Sequence, residues 1–168
     1  MNKLEILPAV RKDLPGILDL VTQYERYDVE YAKRYYEIYF RKNKITEEDE
    51  VYIAKVDGKI VGVIGFSRDY FATDRSYWLG WFIVHEDYRA KKEGKLAIAQ
   101  RLLKKVELEL KARRKKILFV STEDTNRIAK SFYAKNKFRT EGILRDYYGR
   151  GEDQLILSKR LSRKAQSY

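Results

Sequence analysis

The stretch from Trp78 to Leu96, Trp-Leu-Gly-Trp-Phe-Ile-Val-His-Glu-Asp-Tyr-Arg-Ala-Lys-Lys-Glu-Gly-Lys-Leu, constrains the fold more than any other part of the chain. An apolar run that breaks into a basic, glycine-containing turn and then opens an amphipathic pattern reads as strand, turn and helix. That order builds an anion site. The first N–H groups of a helix point outward without partners, the helix dipole adds partial positive charge, and Arg89, Lys91, Lys92 and Lys95 crowd the same few residues. The expected occupant is a phosphorylated ligand.

A chain of 168 residues implies one domain over 1–168, long enough to bury most of the surface its unfolded form would expose. Apolar residues at 44% and charged residues at 36% exclude a disordered chain. No apolar run approaches the roughly 20 residues needed to span a bilayer, and Met1 to Pro8 lacks the apolar core of a secretion signal. The expectation is a cytoplasmic protein with no membrane partner. Without cysteine there is no disulfide, thiolate nucleophile or cysteine metal site, and the single histidine, His85, cannot build a metal cluster and leaves His-based triads nearly excluded. No metal is expected. Heavy use of Lys and Glu with one Met resembles hyperthermophile composition.

The net charge of +11 asks for a partner. Between His85 and Lys116 stand 12 Lys and Arg against 5 Asp and Glu, and Lys159-Arg160-Leu161-Ser162-Arg163-Lys164 adds a basic run near the end. Part of this charge is a solvated helix face and a frayed tail. The remainder suits an anionic cofactor, RNA or an acidic protein.

Along the chain, Glu5 to Val10 reads as a strand, and Asp13-Leu14-Pro15-Gly16 as an N-cap with Pro in the first turn of a helix reaching about Tyr24. Tyr24, Tyr27, Tyr31 and Tyr35 recur at helical steps with Tyr36, Tyr39 and Phe40 nearby. Most are expected in the core or between helices, a minority along a substrate groove. Val51–Val56 and Lys59–Phe66 flank Asp57-Gly58, a strong hairpin signal. Tyr77 to Val84 is a third strand, nearly all apolar and so covered on both faces. Leu96, Ala99, Leu102, Leu103, Val106 and Leu110 mark one face of a helix to about Arg113. Ile117–Val120 is a buried strand, Ser121 to Asn126 is polar, and a helix from about Thr125 to Lys135 carries Ala129, Phe132 and Tyr133. Strands near Phe138–Leu144 and Gln154–Lys159 come next, joined by a loop from Asp146 to Asp153. This order is an α/β layer structure.

Three segments stand in order along the chain: Arg89-x-x-Lys92-x-Gly94 after an apolar strand, Asn126-x-x-Ala129-x-x-Phe132-Tyr133-x-Lys135-x-x-Phe138, and Gly142 to Tyr148 followed by Glu152-Asp153. On these the chain resembles, over essentially its whole length, the GCN5-related N-acetyltransferases. Their phosphate turn, R/Q-x-x-G-x-G/A after an apolar strand, is matched at Arg89 and Gly94, with Lys92 in place of the middle glycine. The motif N-x-x-A-x-x-[LF]-Y-x-K-x-G-F is matched by Asn126, Ala129, Phe132, Tyr133, Lys135 and Phe138, with Lys137 where the glycine is usual. A third segment, Gly142 to Tyr148 followed by Glu152-Asp153 and Leu155-Ile156-Leu157, is similar to the ribosomal-protein N-alpha-acetyltransferases. The resemblance implies an α/β (α+β) fold with a mixed, mostly antiparallel central sheet of about seven strands and helices on both faces.

It also implies acetyl transfer from acetyl-CoA to a primary amine by direct attack in a ternary complex. Backbone groups of Phe82, Ile83 and Val84 would bond the pantetheine. Arg89 and the N–H groups of Ala90, Lys91, Lys92, Glu93, Gly94 and Lys95 would hold the pyrophosphate. Asn126 would bond the pantetheine arm, against a plainer role as helix cap. Tyr133 would protonate the leaving thiolate, since a phenol of pKa near ~10 stays protonated at neutral pH, against a plainer role as a packing residue. The family's general-base glutamate, five residues before the motif asparagine, is replaced by Ser121. Glu123 and Asp124 stand close by, read as exposed or capping carboxylates, and a water relay through Ser121 is equally open.

An alpha-amine of pKa about 8 costs about 1.4 kcal/mol to deprotonate at pH 7, lysine near 10.4 about 4.6 kcal/mol, so a weak base suits a peptide or protein N-terminus. Tyr147 and Tyr148 would contact that acceptor or pack within a hairpin. Two alternatives stand beside it: acetylation of a small amine, and a catalytically weak RNA- or ribosome-binding protein of the same fold. Ribosome or RNA proximity is a further expectation, and the chain is a monomer or homodimer.

Overall fold

The computed structural model describes residues 3–23, 29–41, 49–69, 75–89, 92–93 and 96–161. The elements are β1 (Leu4–Pro8), α1 (Leu14–Val21), α2 (Val29–Arg41), β2 (Glu50–Val56), β3 (Lys59–Arg68), β4 (Ser76–Val84), α3 (Glu86–Arg89), β5 (Lys92–Glu93), β6 (Leu96–Ala97), α4 (Ile98–Ala112), β7 (Ile117–Glu123), α5 (Arg127–Lys135), β8 (Arg139–Gly149) and β9 (Glu152–Arg160). Seven strands form one sheet in the order β1-β2-β3-β4-β7-β9-β8, and β5 pairs with β6. The β4–β7 pair is parallel, while β1–β2, β2–β3, β7–β9 and β8–β9 are antiparallel. Two compact units divide the chain, Met1–Ser67 with Gly80–Leu108 and Arg68–Leu79 with Glu109–Tyr168. The divisions fall inside β3, β4 and α4.

In the first unit the β2–β3 hairpin turns on Asp57 and Gly58, both left-handed (φ 47° and 82°). That is the backbone a two-residue turn needs to match strand twist, and Asp and Gly tolerate it best. Ile17, Leu20 and Val21 of α1 and Ala32, Tyr36 and Tyr39 of α2 pack with Val51, Ile53, Val63 and Ile83 in one core cluster. Successive strand residues face opposite ways, and α4 takes the other face. There Gly62 admits close approach: a Cβ at that position would lie 2.9 Å from Leu102 Cδ1. Ile98, Leu102, Leu103, Val106 and Leu110 are buried, as the periodicity predicts.

The structure shifts several of the expected boundaries. β1 begins one residue earlier than expected and ends at Pro8, short of Val10. The amphipathic helix starts at Ile98, not in the basic turn, so Leu96 belongs to a two-residue strand. Gln100 sets that start, because its Oε1 accepts the Ala97 N–H at 3.4 Å and satisfies a donor ahead of the first turn. Asp13 does stand at the N-cap of α1, but its side chain does not cap the helix. One carboxylate oxygen accepts the Val10 N–H at 2.9 Å and the other takes the Lys55 ammonium at 2.8 Å.

The tyrosine stripe also sorts differently from its spacing. Tyr24 and Tyr27 lie outside the described residues. On α2 the buried line is Ala32, Tyr36 and Tyr39, while Tyr31 is 63% exposed and leans on Trp81. The Tyr39 hydroxyl accepts the Val51 N–H at 2.9 Å. Burial, with Asp49 and Tyr31 adding to it, pushes the Tyr35 phenol up to about 12, and burial raises Tyr36 and Tyr39 as well. An unfolded tyrosine ionises near pH 10, so above that the unfolded chain loses protons the folded chain keeps. Stability is therefore whole below about pH 10 and falls as pH rises through the folded values, by about 1.4 kcal/mol per pH unit for each such tyrosine. Urea unfolding followed across this range, with phenolate absorbance as the second probe, is expected to show these tyrosines ionising only as the chain unfolds.

In the second unit β7 runs through Glu123, three residues past the apolar run, because Ser121, Thr122 and Glu123 pair with Ile156, Leu155 and Gln154 of β9. The expected loop from Asp146 to Asp153 is mostly strand: β8 continues to Gly149 and the chain reverses at Arg150 and Gly151. A register shift between Leu144 and Gly149 absorbs the extra residues. Asp153 holds it, accepting the Asp146 N–H at 3.0 Å and the Arg145 guanidinium at 2.7 Å, while Asp146 accepts the Gly151 N–H at 2.6 Å. Among the described residues no helix is long and apolar enough to cross a membrane.

Candidate functional site

The first unit supplies the end of β4 and the turn beyond it. Ile83 and Val84 are buried and Phe82 is half-buried. Just before them Trp81 takes a left-handed backbone (φ 48°), a strained conformation for an aromatic residue and one that sequence reasoning did not anticipate. Its indole is held by Tyr31, Tyr35 and Tyr36 at centroid separations of 6.2, 6.0 and 5.9 Å. The His85 N–H donates to Val61 O at 2.9 Å, and the chain winds one turn of α3. That turn brings Arg89 back, where its Nε donates to Val84 O at 3.2 Å. Arg89 thus lies at the end of the strand expected to hold pantetheine. Lys92 and Glu93 sit on β5, paired with Ala97 and Leu96. The backbone of Lys92 and Glu93 is therefore strand, not the start of a helix. Ala90, Lys91, Gly94 and Lys95 lie outside the described residues.

The second unit supplies α5 and the strands around it. Asn126 is exposed and caps the helix, its Oδ1 accepting the Ala129 N–H at 3.0 Å. The cap role is thus real, and it engages only the oxygen of the amide. The amide Nδ2 is the end able to donate to a ligand. Tyr133, seven residues on, is 6% exposed, with its ring against Phe132 and Phe138 at 5.6 and 5.3 Å. Its packing role is equally real. After α5, Lys137 is left-handed (φ 68°), its N–H donates to Ala134 O, and the Phe138 N–H reaches back to Tyr133 O, both at 3.0 Å. This Schellman turn explains why the motif usually carries glycine there, and lysine adopts it at some strain.

Ser121, Glu123 and Asp124 have different surroundings. Ser121 is exposed on β7, Glu123 is half-buried at the end of the same strand, and Asp124 is exposed and ion-paired to Lys130. On the β8–β9 hairpin, Tyr147 and Tyr148 are both exposed and meet edge to face at 4.9 Å. The Tyr148 hydroxyl accepts from Gln154 Nε2 at 2.8 Å. Partial burial raises the Tyr148 phenol against the lowering effect of that bond, and the Glu123 carboxylate adds to the rise.

The sheet order, the end of β4 at Val84 followed by α3 and later α4, and the α5 motif point to one class of protein. The acetyltransferase (GNAT) family model matches residues 15–138, and the chain belongs to that family. Among solved structures, the ribosomal-protein-S18-alanine N-acetyltransferase of Escherichia coli is 18% identical with a TM-score of 0.74, covering 99% of each chain. The ribosomal-protein-alanine N-acetyltransferase of Brucella melitensis is 22% identical with a TM-score of 0.72, covering 93% of this chain and 99% of its own. An aminoglycoside 6'-N-acetyltransferase complexed with coenzyme A is 16% identical with a TM-score of 0.71, covering 96% and 99%. At these identities the likeness is one of fold. No curated protein matches the sequence.

Proposed function

We propose that the chain is a single-domain, acetyl-CoA-dependent N-acetyltransferase whose acceptor is the alpha-amine of a peptide or protein N-terminus. The observation that carries it is α5, where Asn126 opens the helix and Tyr133 comes two turns later, both inside the span that matches the family. Backbone groups of Phe82, Ile83 and Val84 bond the pantetheine arm, Arg89 and residues 90–95 hold the pyrophosphate, and Nδ2 of Asn126 donates to the ligand. The Tyr133 hydroxyl protonates the departing thiolate. Divisions between units that fall within β3, β4 and α4 support one domain. The Tyr147–Tyr148 pair, braced by Gln154 and the Asp153 network, supports a peptide acceptor. A small amine is the second reading, favoured by the aminoglycoside enzyme's similar TM-score.

The test is titration of acetyl-CoA by calorimetry into wild type and Gly94→Glu, then thiol release on adding peptides with free or blocked N-termini, or an aminoglycoside. A carboxylate placed in the pyrophosphate turn is expected to weaken binding by at least about 100-fold, or about 2.7 kcal/mol. Thiol release with free N-termini alone identifies the peptide acceptor, release with the aminoglycoside alone identifies the small amine, and wild type that does not bind acetyl-CoA rejects both.

A further inference from the structure

Acetyl transfer to an ammonium needs a group to take its proton, and Ser121 stands where the resembled enzymes carry that group. Two carboxylates lie just after Ser121 in sequence, and the structure separates them. Asp124 lies in the turn before α5, and its carboxylate is already bound by Lys130, whose ammonium also donates to Asp124 O at 2.9 Å. Glu123 is on β7 itself, facing Gln154 across the ladder as Ser121 faces Ile156. Because side chains alternate along a strand, Ser121 and Glu123 share one face, about 6.6 Å apart along β7. Of the two, Ser121 is exposed and Glu123 half-buried.

Glu123 lies at the end of the sheet where the reading above puts the acceptor, beside the β8–β9 hairpin that carries Tyr147 and Tyr148. Its cross-strand partner Gln154 donates to the Tyr148 hydroxyl at 2.8 Å, so Tyr148 is tied to the residue opposite Glu123 on the ladder. The Glu123 charge is felt at the Tyr148 phenol, which places the carboxylate within electrostatic reach of that hydroxyl. We propose that Glu123 is the general base of this chain, displaced by one alternate position along β7 from the base of the ribosomal-protein enzymes. The assignment rests on the acetyl-transfer reading above.

In the step itself the Glu123 carboxylate takes a proton from the acceptor ammonium. The freed nitrogen lone pair attacks the thioester carbonyl carbon, a C–N bond forms, the C–S bond breaks, and the electron pair leaves on sulfur. The thiolate takes a proton from the Tyr133 hydroxyl, which is restored by the second proton lost from nitrogen. Glu123 returns its proton to solvent. The products are the amide, free CoA thiol and one proton.

The experiment tracks thiol release with a free N-terminal peptide from pH 6 to 10, using wild type, Glu123→Gln, Glu123→Asp and Asp124→Asn, with acetyl-CoA affinity measured by calorimetry for each. Glu123→Gln is expected to lower kcat/KM at pH 7 by about 10²–10⁴-fold with unchanged acetyl-CoA affinity. The deficit should shrink as pH passes the alpha-amine pKa of about 8, where the acceptor deprotonates unaided. Glu123→Asp should retain part of the rate, and Asp124→Asn should behave as wild type. Activity of Glu123→Gln within about threefold of wild type, or a deficit equal at every pH, overturns the assignment alone. If Glu123→Gln does not fold, the pH profile of Glu123→Asp decides by the same criterion. Wild type that releases no thiol with any amine overturns the acetyl-transfer reading, and this assignment with it.

Discussion

Tyr133→Phe is expected to lower kcat for acetyl transfer by about 10²–10⁴-fold while acetyl-CoA affinity stays the same. The substitution is clean because the ring is what packs. Tyr133 is buried, lies edge to face with Phe132 and Phe138, and its carbonyl receives the Phe138 N–H that closes α5. Phenylalanine keeps each of these contacts and removes only the hydroxyl. If the hydroxyl delivers the proton to the thiolate, the loss falls on kcat and not on binding. Thiol release at saturating acetyl-CoA, beside a thermal melt of both proteins, reads the two effects separately. A melt that shifts while kcat holds would give Tyr133 a purely structural role.

The largest loss of stability is expected at Asp13. Its side chain is 5% exposed and serves two partners, the Lys55 ammonium at 2.8 Å and the Val10 N–H at 2.9 Å, with Lys55 itself only 19% exposed. Alanine leaves a nearly buried ammonium without its counter-charge and an amide without an acceptor, a loss of about 3–5 kcal/mol. For a chain of this size that corresponds to a melting temperature lower by about 10 °C. Urea unfolding of Asp13→Ala measures it. The double variant Asp13→Leu with Lys55→Met should recover much of the loss, because the penalty belongs to the stranded charge and not to the missing pair. A double variant as unstable as the single one would assign the loss to the Val10 amide instead.

How much was legible depends on the range of the forces involved. The Asp57-Gly58 turn and the buried line of α4 were readable because each depends on neighbours within a turn or two. So was the family, since its motifs record local geometry such as the left-handed position held here by Lys137. The apparent loop from Asp146 to Asp153 was unreadable as strand because Asp153 holds it from across the hairpin. The helix start at Ile98 was missed because the residue before it, Ala97, has no capping side chain, and Gln100 reaches back to its N–H. The left-handed Trp81 left no sequence signal, as its conformation depends on the aromatic side chains of α2.

By itself the sequence determined the order of the longer strands and helices, the hairpin at Asp57, the family, and the residue types able to meet a phosphorylated cosubstrate. Those properties depend on periodicity and on backbone preferences that act over a few residues. Only the tertiary structure decided that Asp124 is held in an ion pair with Lys130, that Asn126 caps α5 through its oxygen, and that Ser121 and Glu123 share a face. The shared face depends on β7 running past its apolar residues, which it does by pairing with β9: Gln154, opposite Glu123, is 31 residues away along the chain.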